Sequence, residues 1–185
     1  MKTIFRNTFF SDTLTILIIA AVVAVGLQAV VQKFAVKGHS MDLTLEHKQQ
    51  LIVNKVVYKF HQPERGDIII FHSPFEEEEW VKRIIGLPGE SVEIKDGKVY
   101  IHKKDGTVLP LDEPYVTRPA TEPFRGGVIP ENQYFVMGDN RTGSSDSRNG
   151  WTLPQKNIIG KAWLSIWPPH KWGLVPHYSF EEPAK

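Results

Sequence analysis

Hydrophobic positions divide this chain into two unlike parts. From Leu14 to Val31 (LTILIIAAVVAVGLQAVV) the sequence is apolar and uncharged. At ~1.5 Å rise per residue such a segment makes a helix of roughly 27 Å, just enough to span a bilayer. A cleaved signal peptide is the competing reading, but its apolar core is usually ~7–15 residues long with small residues at its exit. Here Ala24 and Gly26 lie inside the run, which favours a retained anchor.

From Val36 onward no long 3.6-residue period appears. Short β-branched and aromatic runs alternate with Gly, Pro, Asn and Asp, the pattern of strands and turns. Strands are predicted at Leu51–Tyr58, Asp67–Phe71, Glu79–Ile85, Ser91–Ile94, Lys98–Ile101, Tyr134–Met137 and Lys161–Ile166. Lys95-Asp96-Gly97 predicts a hairpin turn, because Asp-Gly readily takes positive φ, and Lys104-Asp105-Gly106 predicts a second. Residues Leu111 to Gly127, rich in Pro and lacking a period, predict a mobile surface excursion. Four consecutive acids, Glu76 to Glu79, read as a solvated loop rather than a metal site. The tail from His170 to Lys185 carries no strong signal.

The fold class that follows is mostly β: a single N-terminal transmembrane helix, then an antiparallel, barrel-like sheet domain. Its divisions are a short N-terminal segment 1–13, an anchor 14–31 and one domain 36–185. The 185 residues, 41% of them hydrophobic, suffice for one such core. With 22 basic and 21 acidic residues the net charge is +1, so no global field recruits nucleic acid or anionic lipid. Lys2 and Arg6 precede the anchor while Lys33, Lys37 and Lys48 follow it, and counting them leaves orientation open. Cysteine is absent, which excludes disulfides and thiolate chemistry and suits export into an oxidising space.

Two polar signatures carry candidate chemistry: Gly38-His39-Ser40-Met41 and the run Trp80 to Gly89 (WVKRIIGLPG). A serine hydroxyl becomes a nucleophile when a base takes its proton, and lysine is that base only when neutral. At an ordinary pKa near 10.4 only about one lysine in 2,500 is neutral at pH 7, so burial must depress it. Strand alternation puts Trp80, Lys82 and Ile84 on one face, where two bulky apolar neighbours strip water from the amine, and turns Arg83 away. Taken alone, Lys82 is also what an exposed edge strand carries, and Ser40 is an ordinary turn residue. A third cluster, Gly138 to Arg148 (GDNRTGSSDSR), forms a dense polar loop after an apolar strand.

Together these segments resemble the motif boxes of bacterial type I signal peptidases, membrane-bound Ser/Lys proteases. Ser40-Met41-Asp42-Leu43-Thr44-Leu45, Gly66 to Phe71, Lys82 to Gly89 and Gly138 to Arg148 match four boxes in order. The resemblance implies Ser40 as nucleophile and Lys82 as general base. It implies that Ser144 orients the amine, that Asp146 and Arg148 pair to hold their loop, and that the Ser40 N–H donates to the oxyanion. Gly38 stands where some members carry an additional hydroxyl donor. Leu43 replaces the usual Pro, and Thr142-Gly143 replaces the usual Asp-Asn.

The same resemblance implies signal peptides of secreted preproteins as substrate, bound as an added strand and cut after small residues such as Ala-x-Ala. Val36, Met41, Leu45, Trp80 and Val81 are the expected apolar walls, with core packing as their alternative role. It further implies a single-pass protein of the cell membrane with its catalytic domain on the extracytoplasmic face, lipid and the export machinery as neighbours, and no cofactor, metal or nucleic acid. The seven histidines form no HExxH motif, and His39 is expected at the surface, since neighbouring side chains of extended chain diverge. Self-cleaving repressors of the SOS type share a related Ser/Lys fold but carry a DNA-binding module and no span. A catalytically impaired, membrane-tethered binding paralogue is the remaining alternative.

Overall fold

The computed structural model describes residues 2–180, so Met1 of segment 1–13 and residues 181–185 of the domain drawn as 36–185 lie outside it. The fold is mostly β. Helix α1 (Lys2–Val30) includes the polar residues before Leu14 as well as the apolar run. Its stretch Asp12–Val30 is long and apolar enough to cross a membrane, and none of its described residues is buried. No loop follows: Val31 opens strand β1 (Val31–Ala35), so the last residue assigned to the anchor belongs to the sheet.

The larger sheet also contains β2 (Gln50–Asn54), β3 (Ile68–His72), β4 (Glu79–Gly86), β9 (Gln133–Met137), β10 (Leu153–Pro154) and β11 (Ile158–Trp167), in the order β1-β2-β11-β3-β4-β9-β10. A two-residue strand β12 (Gly173–Leu174) pairs with β11. The second sheet is β7-β6-β5-β8, built from β5 (Ser91–Lys95), β6 (Lys98–His102), β7 (Val108–Pro110) and β8 (Phe124–Arg125). Every pairing is antiparallel. The β5–β6 turn takes positive φ at Asp96 and Gly97, as the Asp-Gly signal requires. The second predicted turn joins β6 to β7. The predicted strand Leu51–Tyr58 stops at Asn54, whose side chain accepts from the N–H groups of Val56 and Val57 and starts a turn of 3₁₀ helix at Val57–Lys59.

Strand β3 is a near-continuous apolar run because both its faces are covered. Ile68 and Ile70 enter one cluster with Phe34, Met41, Leu45 and Val81, while Ile69 and Phe71 enter another with Ile84 and Tyr134. A third cluster fills the space between the sheets around Ile85, Val92, Ile101 and Phe135. Met41 and Leu45 anchor the chain just after Ser40, and burying each stabilises that loop by roughly 1.5–3 kcal/mol.

The Leu111–Gly127 excursion is pinned. Arg141 donates to both carboxylate oxygens of Glu113, the Tyr115 ring stacks 3.9 Å from the Arg83 guanidinium carbon, and β8 adds to β5. The described part of the tail is a strap. His177 Nδ1 accepts from the Ile68 N–H (3.0 Å), and its Nε2–H donates to the Ala162 carbonyl (2.7 Å). Beyond it, Tyr178 and Phe180 pack edge-on against Tyr115.

Candidate active site

Ser40 follows β1 on a short coil, and Lys82 lies in the middle of β4. β4 pairs with β3 along Glu79–Arg83, but its other edge meets β9 only from Arg83 onward. Glu79 to Lys82 therefore keep an open edge, and β1 has no neighbour beyond β2. The two free edges face each other across a cleft of about 330 Å³ lined by Phe34, Gly38, Ser40, Trp80, Val81 and Lys82, among others. A larger hollow of about 500 Å³ lies elsewhere, between Leu43 and the C-terminal strap, and contains neither Ser40 nor Lys82.

Within the cleft Lys82 Nζ lies 2.7 Å from Ser40 Oγ. Lys82 is 4% exposed. Burial drives its pKa down from 10.5 to about 8; the Asp146 and Asp139 carboxylates pull it up, and the Arg148 cation pushes it down. The Trp80 ring, 5.6 Å from Nζ, gives the charged form a weak hold at the outer limit of cation–π range. Desolvation outweighs it because no carboxylate is in contact with the amine.

The Gly138–Arg148 loop closes over this pair. Asp146 is fully buried: its carboxylate accepts from Arg148 Nε (2.8 Å) and Nη2 (2.9 Å) and from the Gly138 N–H (3.0 Å). The Asn140 N–H donates to the Ser40 carbonyl (3.1 Å), and its side-chain amide to the His39 carbonyl (2.9 Å), tying the loop to the Ser40 segment. Gly138 fills the crossing. A Cβ there would lie 2.4 Å from the Ser40 carbonyl oxygen and 2.3 Å from Ser144 Oγ. That Ser144 hydroxyl is buried and makes no hydrogen bond.

An alcohol against an amine whose pKa burial lowers to about 8, in a cleft between two unpaired strand edges, is an arrangement suited to cutting an extended peptide. The family model described as signal peptidase, peptidase S26, matches residues 10–167. The chain belongs to this signal peptidase family. It is 38% identical over 181 residues to a probable signal peptidase I-1 of Synechocystis sp., covering 93% of this chain and 90% of the relative. It is 36% identical over 165 residues to signal peptidase I U of Bacillus subtilis, covering 84% and 86%. A crystal structure of a signal peptidase I from Enterococcus faecalis aligns at 35% identity with a TM-score of 0.48, covering 55% of this chain and 97% of that one. As a member of the family the chain is a hydrolase, a serine peptidase that removes signal peptides.

Against the signal peptidase boxes, the five expected wall residues separate. Trp80 and Val81 line the cleft, whereas Val36, Met41 and Leu45 lie in the core beneath it, each 2% exposed or less. His39 is at the surface, paired with Asp42. Leu43, in the position where the family pattern has Pro, takes φ +78°, a value proline cannot reach.

Sequence reasoning missed the ion pair behind the site. Arg83, wholly buried, donates from Nε (2.9 Å) and Nη2 (2.7 Å) to Asp139 and from Nη1 to the Gly66 carbonyl (2.8 Å). Thr44 adds a 2.6 Å bond to the same carboxylate. Strand alternation did turn Arg83 away from Lys82, but no local pattern names a partner 56 residues distant.

Proposed function

We propose that this chain is a membrane-tethered signal peptidase I that works through Ser40 and a neutral Lys82, and the observation that carries the reading is the 2.7 Å contact of the buried Lys82 amine with the Ser40 hydroxyl. With the amine neutral, the Ser40 hydroxyl donates to Nζ and its oxygen attacks the scissile carbonyl carbon. The carbonyl oxygen takes the negative charge, and the Ser40 N–H is the donor assigned to it. Collapse breaks the C–N bond, the leaving amine takes the proton from Nζ, and an acyl ester remains on Ser40. Water, deprotonated by Lys82, then hydrolyses that ester and restores the hydroxyl.

The Ser144 hydroxyl, buried and without a partner in the resting structure, is assigned to orient the amine once substrate is bound, and the Asp146–Arg148 pair holds the loop that carries it. The substrate lies as a strand between β1 and β4, so main-chain bonds supply affinity and shallow walls at Trp80 and Val81 admit only small side chains near the cut, as in Ala-x-Ala. Helix α1 is the anchor, with segment 1–13 inside the cell and the domain from residue 36 on the outer face, near the export machinery. Ser40→Ala and Lys82→Ala should each abolish preprotein processing while leaving the folded domain intact by circular dichroism. Near-normal turnover by Lys82→Ala would remove the general-base role. Full protection of the domain from protease added outside intact cells would reverse the orientation.

A further inference from the structure

At the end of the cleft away from Ser40, two side-chain bridges join its walls. Lys37 Nζ donates to Glu78 Oε1 (3.0 Å), and Gln32 Nε2 donates to Glu79 Oε1 (2.8 Å). Gln32 lies in β1 and Lys37 in the coil after it; Glu78 immediately precedes β4 and Glu79 opens it. Both bridges therefore span the gap that a bound strand would occupy or pass beneath. The Lys37–Glu78 pair is exposed, with 69% and 47% of its side chains open to solvent. Such pairs are weak and open readily.

The direction of the cleft follows from the helix. α1 ends at Val30 and β1 begins at Val31, so the bridged end adjoins the helix and the Ser40 end lies farther away. A signal peptide carries its apolar segment before the cleavage site. With that segment in the bilayer beside α1, the peptide enters at the bridged end and presents its scissile bond at Ser40. Glu79 precedes Lys82 by three strand positions, roughly 10 Å at ~3.3 Å per residue. Glu78 and Glu79 thus stand beside the substrate side chains just beyond the Ala-x-Ala segment, four and five residues before the scissile bond.

Resting on the peptidase reading above, we infer that Lys37, Glu78, Gln32 and Glu79 form a clasp that selects substrates by charge at those positions. Two carboxylates face one ammonium and one neutral amide, so the clasp is net negative. When a peptide opens it, a basic substrate side chain takes the place of Lys37 against Glu78 or of Gln32 against Glu79. An acidic side chain meets two carboxylates and slows cleavage. An uncharged residue falls between.

The test uses the full chain in detergent micelles and peptides that keep Ala at the first and third residues before the scissile bond and carry Ala, Lys or Glu in turn at the fourth and fifth. The clasp predicts that kcat/KM is about 3–10-fold higher for Lys than for Glu at one or more of these positions, the range of an exposed ion pair gained against a like-charge contact. The ratio should shrink as salt is raised, fall to within about twofold of unity in Glu78→Gln/Glu79→Gln, and invert in Glu78→Lys/Glu79→Lys. A wild-type ratio near unity at both positions, or a ratio that both double variants leave unchanged, would overturn the clasp. If the Ala peptide is cut normally in that case, the peptidase reading survives and the clasp alone falls. An Ala peptide that is never cut would remove the activity and the clasp with it.

Discussion

Lys82 and Arg83, neighbours in one strand and both buried, meet opposite electrostatic fates. Arg83 faces the Asp139 carboxylate through two hydrogen bonds. Lys82, on the other face, has its amine against the Ser40 hydroxyl with a tryptophan ring 5.6 Å away, and burial lowers its pKa to about 8. The strand thus delivers one fixed cation that holds the catalytic loop and one amine that gives up its proton near neutral pH.

The first prediction concerns pH. At pH 7 a group with pKa about 8 is roughly one-tenth neutral. Because the neutral amine is the proposed base, kcat/KM should rise almost tenfold per pH unit below about pH 8 and level off above it. A profile from pH 6 to 10 checks this, and a flat response through pH 8 would detach activity from Lys82.

Stability should follow the same group with the opposite benefit. The folded pKa lies below the unfolded value of 10.5, so the folded state binds the proton less well. The cost is full below about pH 8, diminishes between 8 and 10.5, and vanishes above. Lys82→Met, similar in shape and uncharged, should gain about 1–3 kcal/mol at pH 7 and lose most of that advantage by pH 10.5. Urea unfolding at the two pH values measures it.

Gly138→Ala should reduce turnover by at least about 100-fold. The added methyl meets the Ser40 main-chain oxygen at 2.4 Å, and backbone cannot yield as a flexible side chain would. The nucleophile must therefore move, and displacements near 1 Å cost rates of this order. Turnover within tenfold of wild type would show that the crossing has slack.

Ser144→Ala should lower kcat by about tenfold while changing stability by less than about 0.5 kcal/mol. The hydroxyl is buried without a hydrogen-bond partner, so removing it breaks no bond in the resting enzyme. A wild-type kcat would take Ser144 out of the machinery.

Leu43→Pro, which restores the residue of the family pattern, should destabilise this chain by about 2–3 kcal/mol. Leu43 sits at φ +78° and is mostly exposed, so proline must rebuild the turn after Ser40 and gains no packing in return. Thermal melting would show the loss; an unchanged Tm would mean the loop has two equivalent forms.

Much of this architecture was legible in the sequence because its signals are local. Short β-branched and aromatic runs punctuated by Gly, Pro, Asn and Asp marked seven of the strands, and the boxes around Ser40 and Lys82 marked two side chains that the fold brings to 2.7 Å. The failures have physical causes. Helix α1 runs into β1 through valines that suit either state, so the boundary at Val30 left no mark in hydropathy. β8, β10 and β12 have two residues each, too few for any period to register. The Leu111–Gly127 segment reads as free because its restraints, Glu113 on Arg141 and Tyr115 on Arg83, join residues far apart along the chain.

The strap around His177 also works as a staple across the fold. His177 satisfies a main-chain donor of β3 and an acceptor of β11, and Tyr178 and Phe180 shelter the ring that lies on Arg83. A single nick in the chain just ahead of His177 would release all of these restraints together, so damage far from the cleft would loosen the ion pair behind it.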